Sequence, residues 1–402
     1  MKRSTPLGIA VIALLSTGVT PLARLRAQNG PAPAATATPG AMARFAYQGD
    51  AAQLPVEFIG NLIFLQVRVN LSQPSLFEVD TTSGVSLIDP QRAADLGVTN
   101  LRSVVLNLTG VDISLPEIGS VAKSDFGARV GRAYEGTLGN DVFAGVVTEL
   151  DYGRQTARLY DPETFHFSGH GKSLPLVMRD GIPAVKAKVE VSGHKSGEVL
   201  FILNTALDVP LVISEHFAQQ HHFFSHLKTV PVGPGELGVG GNAVMARIER
   251  FEIGPYQIEA PLAAFVQGKL SSADDSQVAG EIGGGMLRRF TVTLDYARGV
   301  AFFEGNGEIR SDDREDMSGI SVVASGPNLR RFEVTLVRPG SPAADAGVQK
   351  GDVIEAVDDE AAADMTLAAL RGLFRQVGHK YKLLIDRNGQ TRTINVTMRR
   401  TL

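Results

Sequence analysis

Two short motifs stand out for the chemistry their side chains can carry. Asp80-Thr81-Thr82-Ser83-Gly84 follows the apolar strand-like run ending in Phe77-Glu78-Val79, which places one carboxylate at a strand end before a tight turn. Asn204-Thr205-Ala206 follows Phe201-Ile202-Leu203 in the same way, 124 positions later. The Asn204 amide cannot titrate, so the second motif offers no acid or base where the first has Asp80. Other carboxylates are poor substitutes. Asp208 aligns with Gly84 and falls beyond the turn, Asp89 follows the second strand, and Asp151 and Asp295 occupy matching places near the ends of the two copies.

Three further clusters carry less. His216, His221, His222 and His226 fall on an expected helix after the second motif, and His222 with His226 has the i,i+4 spacing a zinc site can use. No HExxH pattern accompanies them, and a solvated helix face is the simpler reading. The run from Gly233 to Gly241 has glycine spacing reminiscent of a dinucleotide loop, but it does not join a strand to a helix. It reads as a hairpin or flap over a cleft. The acidic run Asp312–Asp316 reads as a solvated interdomain linker. No metal or cofactor is implied.

The elements that position the motifs are duplicated. Leu54-Pro55-Val56 and the strand Ile63–Val69 have counterparts in Leu174-Pro175-Leu176 and Val185–Val191. Gly136-Thr137-Leu138-Gly139 through Leu150-Asp151-Tyr152-Gly153-Arg154 is matched by Gly280-Glu281-Ile282-Gly283 through Leu294-Asp295-Tyr296-Ala297-Arg298. About twenty extra residues in the second copy form an insertion that a loop tolerates cheaply. Apolar alternation argues half-buried strands, and two units of this length predict two related β lobes.

The bulk of the chain agrees. It has 402 residues, 43 Gly, 20 Pro and 6% aromatic residues, a turn-rich composition that favours short strands over long helices. A net charge of −4 gives no basic footprint for nucleic acid. Met1-Lys2-Arg3 followed by apolar Leu7–Leu15 and small residues reads as an export signal over 1–27, whose apolar run is too short to span a bilayer comfortably. Residues 28–43 read as a Pro/Ala/Gly/Thr-rich tether. With no cysteine, disulfides and thiolate chemistry are excluded. The expected compartment is the periplasm or the medium, with no membrane span left after signal cleavage.

With these residues in view, the pattern of residues 50–305 resembles the retropepsin-like aspartic proteases, in the single-chain two-lobed form found with PDZ domains in bacterial exported proteins. The helix expected over Pro90–Leu96 fits the same pattern. The resemblance implies a mainly β fold with two pseudo-symmetric lobes, at 44–165 and 166–306. It also implies that Asp80 is the catalytic carboxylate, that Thr81 and Thr205 lock the two loops, and that Asn204 stands where the second carboxylate belongs. Thr82 and Ala206 replace glycines, and a β-branched Thr82 is expected to resist the backbone geometry that a glycine adopts. Asp151 and Asp295 correspond to structural positions before a hairpin turn.

From 317 to 402 the signals change. Gly340-Ser341-Pro342-Ala343, Ala346-Gly347-Val348 and Gly351-Asp352-Val353-Ile354 resemble the PDZ signature in its bacterial arrangement. Thr366 is suited to cap a helix whose apolar face is Leu367, Leu370, Leu373 and Phe374, and Asn388-Gly389 reads as a hairpin turn. The resemblance implies an α+β domain that binds extended peptides by strand addition. Ser318-Gly319-Ile320-Ser321 would hold the terminal carboxylate, and the peptide would lie between that strand and the Leu367–Phe374 helix, against Leu367 and Leu370. The expected partners are peptides or unfolded segments, including C-terminal tails. The expected function is a peptide-binding relative of aspartic proteases with degraded chemistry; the alternative is an active endopeptidase that uses Asp80.

Overall fold

A computed structural model describes residues 42–46, 51–122, 126–233, 242–267, 270 and 277–402. The export signal, most of the tether and Pro234–Gly241 of the glycine-rich run lie outside the described residues. No helix among the described residues is long and apolar enough to cross a membrane.

Each motif ends a strand buried on both faces. Ser75–Val79 (SLFEV) and Val199–Asn204 (VLFILN) are near-continuous runs of buried residues, the pattern of strands covered on both sides. In the first lobe Ser75–Val79 pairs antiparallel with Leu62–Val69 and parallel with Gly136–Leu138. Gly136–Leu138 in turn pairs with Leu87–Ile88. The second lobe repeats the arrangement. Val199–Asn204 lies between Ile182–Val191 and the parallel strand Val278–Gly283, which also pairs with Leu211–Ser214. The first helix, Pro90–Asp95, is capped by Asp89, whose Oδ1 accepts the Gln91 and Arg92 amides.

The extra residues of the second copy form a hairpin. Thr229–Val232 pairs with Ala243–Arg247, and the latter pairs with Leu262–Val266. The first lobe has no counterpart among its described residues, passing from the helix ending near Leu96 to the strand Arg102–Leu108.

The lobes are joined by a six-stranded antiparallel sheet. Ala51–Leu54, Thr156–Tyr160 and Val147–Asp151 come from the first lobe. Phe290–Asp295, Val300–Gly305 and Lys172–Pro175 come from the second. At its centre Val147 faces Asp295 and Asp151 faces Thr291, so the two copies meet through equivalent strands. Asp151 and Asp295 close the hairpins at either end. Each accepts the backbone N–H three residues on and pairs with the arginine there, Arg154 and Arg298.

Turns clasp the opposite lobe as well. The Asn61 amide donates to Asp208 Oδ1 at 2.7 Å and its Nδ2 to the Asp208 carbonyl, so Asp208 is an interlobe tether. Gly284 lies so close to this turn that a Cβ would stand 2.1 Å from the Asn61 carbonyl oxygen, which only glycine allows. Across the pseudo-symmetry, Asn140 donates to the Gly181 carbonyl in the matching turn of the second lobe.

The C-terminal sheet has the order Ile320–Ser325, Arg331–Val337, Val353–Val357, Lys380–Arg387, Gln390–Thr397. Thr366 caps the helix Leu367–Leu373 by accepting the Ala369 N–H. Asn388 and Gly389 both have positive φ, 55° and 78°, the backbone of a type I′ hairpin turn.

The acidic run is not a solvated linker. Asp313 is buried, pairs with the buried Arg289 guanidinium at 2.7 Å and accepts the Leu262 N–H. Glu315 is buried too, and its Oε1 accepts the Thr401 and Leu402 amides. Charge density alone misleads here, because Asp313 and Glu315 each find a cation or backbone donor from a distant element. Removing one partner of a buried pair typically costs about 3–5 kcal/mol. Asp313→Ala should therefore destabilise by about that amount in urea unfolding, whereas the neighbouring Asp312→Ala, at an exposed residue, should change little.

Candidate active site

The two motifs meet at the centre of the molecule through their threonines. Thr81 Oγ1 donates to the Leu203 carbonyl at 2.5 Å and accepts the Thr205 N–H at 3.2 Å. Thr205 Oγ1 donates to the Val79 carbonyl at 2.6 Å and accepts the Thr81 N–H at 3.1 Å. Both threonines are buried, so each hydroxyl satisfies one donor and one acceptor that water does not reach. The residues on either side of this interlock, Asp80 and Asn204, are thereby held at corresponding positions of the two loops.

Their surroundings differ. Asp80 Oδ1 accepts from the Thr82 N–H at 2.8 Å and the Thr82 hydroxyl at 2.6 Å. Its Oδ2 has no hydrogen-bond partner among the described residues, and the residue is partly exposed. Asn204 is buried, and both ends of its amide are committed. Nδ2 donates to Glu281 Oε2 at 2.7 Å, and Oδ1 accepts the Ala206 N–H at 3.0 Å.

One expectation about the motif residues changes. Neither Thr82 nor Ala206 has positive φ, so Thr82 is unstrained where glycine was anticipated. The Thr82 hydroxyl instead becomes a second donor to Asp80. Ser83 and Gly84 continue the turn: the Ser83 hydroxyl donates to the Val85 carbonyl, and Gly84 is exposed beside the exposed Val85 side chain.

Glu281 escaped sequence reasoning. It lies on the strand parallel to Val199–Asn204, fully buried, at the place where the first lobe has Thr137. The available signal was this Thr-to-Glu difference between otherwise matched Gly-x-Leu/Ile-Gly segments. The first lobe buries its own carboxylate one strand over: Glu78, the register partner of Thr137, accepts the Tyr134 hydroxyl at 3.0 Å. Burial, and then the negative charges of Glu78 and Asp80, push the Tyr134 phenol well above its ordinary pKa. Tyr296 is raised in the same way by burial and by Asp80. It donates to Asn140 Oδ1 at 3.0 Å, and Asn140 Nδ2 donates to the Thr81 carbonyl, which ties the second lobe to the first motif.

The histidines do not gather. The helix Glu215–Gln220 stops before His222, and His222 and His226 have positive φ, so their i,i+4 spacing is not that of a helix face. His221 packs against Phe217 with its ring tilted, and no group of three potential ligands occurs among the described residues. A concavity lined by Glu149, Arg158, Tyr160 and Glu304 sits on the interlobe sheet and includes none of the motif residues.

In the C-terminal domain, the expected carboxylate loop is already satisfied. Asp316 Oδ1 accepts the Ser318 N–H, the Ser318 hydroxyl and the Gly319 N–H at 3.0, 2.6 and 2.9 Å. The Ile320 N–H donates to Ser318 Oγ. Ser321, Leu367 and Leu370 are buried.

A PDZ-domain family model matches residues 333–387. No curated protein matches the chain. Among solved structures, the aspartic proteinase from Irpex lacteus is similar over 65% of this chain and 99% of its own, at 11% identity and a TM-score of 0.41. Basic 7S globulin from soybean is similar over 63% of this chain and 95% of its own, at 12% identity and a TM-score of 0.36.

The interlock predicts an asymmetric response at Thr205. Thr205→Val removes the hydroxyl and strands the Val79 carbonyl and the Thr81 N–H, each worth about 1–3 kcal/mol when buried unpaired. Thr205→Ser keeps both bonds. Urea unfolding should show Val costing several kcal/mol and Ser recovering most of the loss.

Proposed function

We propose that the two lobes form an aspartic-protease-like, peptide-binding unit whose hydrolytic chemistry is lost, in a protein exported to the periplasm or beyond. The observation that carries this reading is the state of Asn204. In a dyad, one carboxylate acts as base toward water while its protonated neighbour acts as acid, because close like charges cannot both ionise. Here the second position is an amide with no proton to exchange, and both its ends are taken by Glu281 and Ala206. Asp80 is left as a lone carboxylate with one uncommitted oxygen. The missing acid corresponds to about two to four decades in rate.

Peptide binding is supported by what remains. The interlock keeps both loops in place, and Gly84 and Val85 are exposed beside Asp80, leaving backbone and apolar surface for an extended chain. The PDZ match adds a domain class that binds peptides.

The alternative, an endopeptidase working through Asp80, is favoured by the uncommitted Oδ2, and one experiment separates the two. An unstructured protein is digested across pH 3–7 with the natural chain, with Asp80→Ala, and with the triple variant Asn204→Asp, Ala206→Gly, Glu281→Thr. The third substitution copies Thr137 and removes the carboxylate that would oppose a new Asp. The expected result is no cleavage by the natural chain and acid-range cleavage by the triple variant that a further Asp80→Ala abolishes. Cleavage by the natural chain that disappears in Asp80→Ala would overturn the proposal.

A further inference from the structure

The peptide groove expected of the C-terminal domain lies between the edge strand Ile320–Ser325 and the helix Leu367–Leu373. Among the described residues Ile320–Ser325 has a strand partner on one side only, Arg331–Val337, so its other edge is the place where an added peptide would pair. An open edge of this kind normally leaves a row of unpaired backbone groups. Here both faces of the strand's first half are covered: Ile320, Ser321 and Val322 are all buried.

Three intramolecular contacts account for this. The first-lobe helical turn Phe126–Val130 packs against Ile320–Ser325. Gly127 within it and Gly131 just after it mark how close the approach is. A Cβ on Gly131 would stand 2.5 Å from Leu367 Cβ, on the first residue of the groove helix, and one on Gly127 would stand 3.3 Å from Leu329 Cδ1. Arg371, on the groove helix, reaches across and donates to the Val322 carbonyl at 2.9 Å. At the loop before the strand, the Asp316 carboxylate occupies the Ser318 and Gly319 amides that a peptide's terminal carboxylate would need.

We infer that the PDZ groove is the seat of the chain's own segment Gly127–Arg132, with the side chain of Asp316 standing in for a terminal carboxylate. The inference rests on the PDZ reading of the C-terminal domain and is independent of whether the cleft at Asp80 hydrolyses peptides. It also links the two sites. The seated segment continues into Tyr134 and Glu135. Tyr134 binds Glu78, and the Glu135 N–H donates to the Leu76 carbonyl while its Oε2 accepts the Leu76 N–H. Both anchor points lie on the strand that ends at Asp80. The C-terminal domain therefore braces the first lobe's motif strand instead of presenting an empty groove to tails.

The chain lacks cysteine, so a designed disulfide reports this contact without background. The full chain carrying Gly127→Cys and Leu329→Cys is oxidised and run on a non-reducing gel. An added Cβ at 127 stands 3.3 Å from the end of the Leu329 side chain, so thiols at these two positions can meet and disulfide formation in most molecules is expected. Absence of the cross-link, in a variant whose circular dichroism matches the natural chain, overturns the inference. A second arm uses the unsubstituted full chain and a library of nine-residue peptides made with free and with amidated C-termini. Equal retention of the two forms is expected, and a preference of about tenfold or more for free acids overturns the inference.

Discussion

The reciprocal hydrogen bonds of Thr81 and Thr205 are the constraint on which the rest of the molecule depends. Four backbone groups from two lobes are satisfied by two hydroxyls in a place water does not enter, so neither loop can shift without leaving a buried donor or acceptor unpaired. The six-stranded sheet and the clasping turns at Asn61 and Gly181 repeat the same pseudo-symmetry farther out. They bring the lobes together, and the interlock fixes the register at which the motif residues face each other. This is why the architecture persists although the residues on either side of the threonines have diverged.

That divergence has a local electrostatic logic. Each lobe buries one glutamate on the motif strand or its parallel neighbour, but on opposite members of the pair: Glu78 in the first and Glu281 in the second. Glu78 is met by a tyrosine hydroxyl, which leaves Asp80 to its own donors on Thr82. Glu281 points to position 204, where an amide supplies a donor at hydrogen-bond distance. A carboxylate there would place two acids against each other out of water, so one would have to stay protonated or the pair would strain the fold. Asn204 and Glu281 are joined by a buried hydrogen bond, and in the proposed function this unit stands where Asp80 would otherwise find a partner to share a proton.

Much of this was legible in the sequence. Reading one copy against the other locates Asn204 opposite Asp80, and the turn and capping signals of the last eighty or so residues lead to the PDZ assignment. What was not legible depends on long-range pairing. Glu281 lies 77 residues from Asn204, and nothing local announces their contact. The Asp312–Asp316 run looks solvated until Arg289, the terminal amides and the Ser318 loop are folded onto it. Thr82 was judged by what glycine usually does in such turns, but its backbone is ordinary and its hydroxyl is the useful part. The histidine spacing failed because it presumed that a helix ending at Gln220 runs on through His226.

The central claim is that Asn204 and Glu281 act as a coupled pair in place of a proton-sharing dyad. A double-mutant cycle tests it most directly, with urea unfolding at neutral pH of Asn204→Asp, Glu281→Thr and the two combined. The account predicts that Asn204→Asp alone is strongly destabilising and that Glu281→Thr relieves it, giving a coupling of about 2–3 kcal/mol. Additivity within about 0.5 kcal/mol would contradict it.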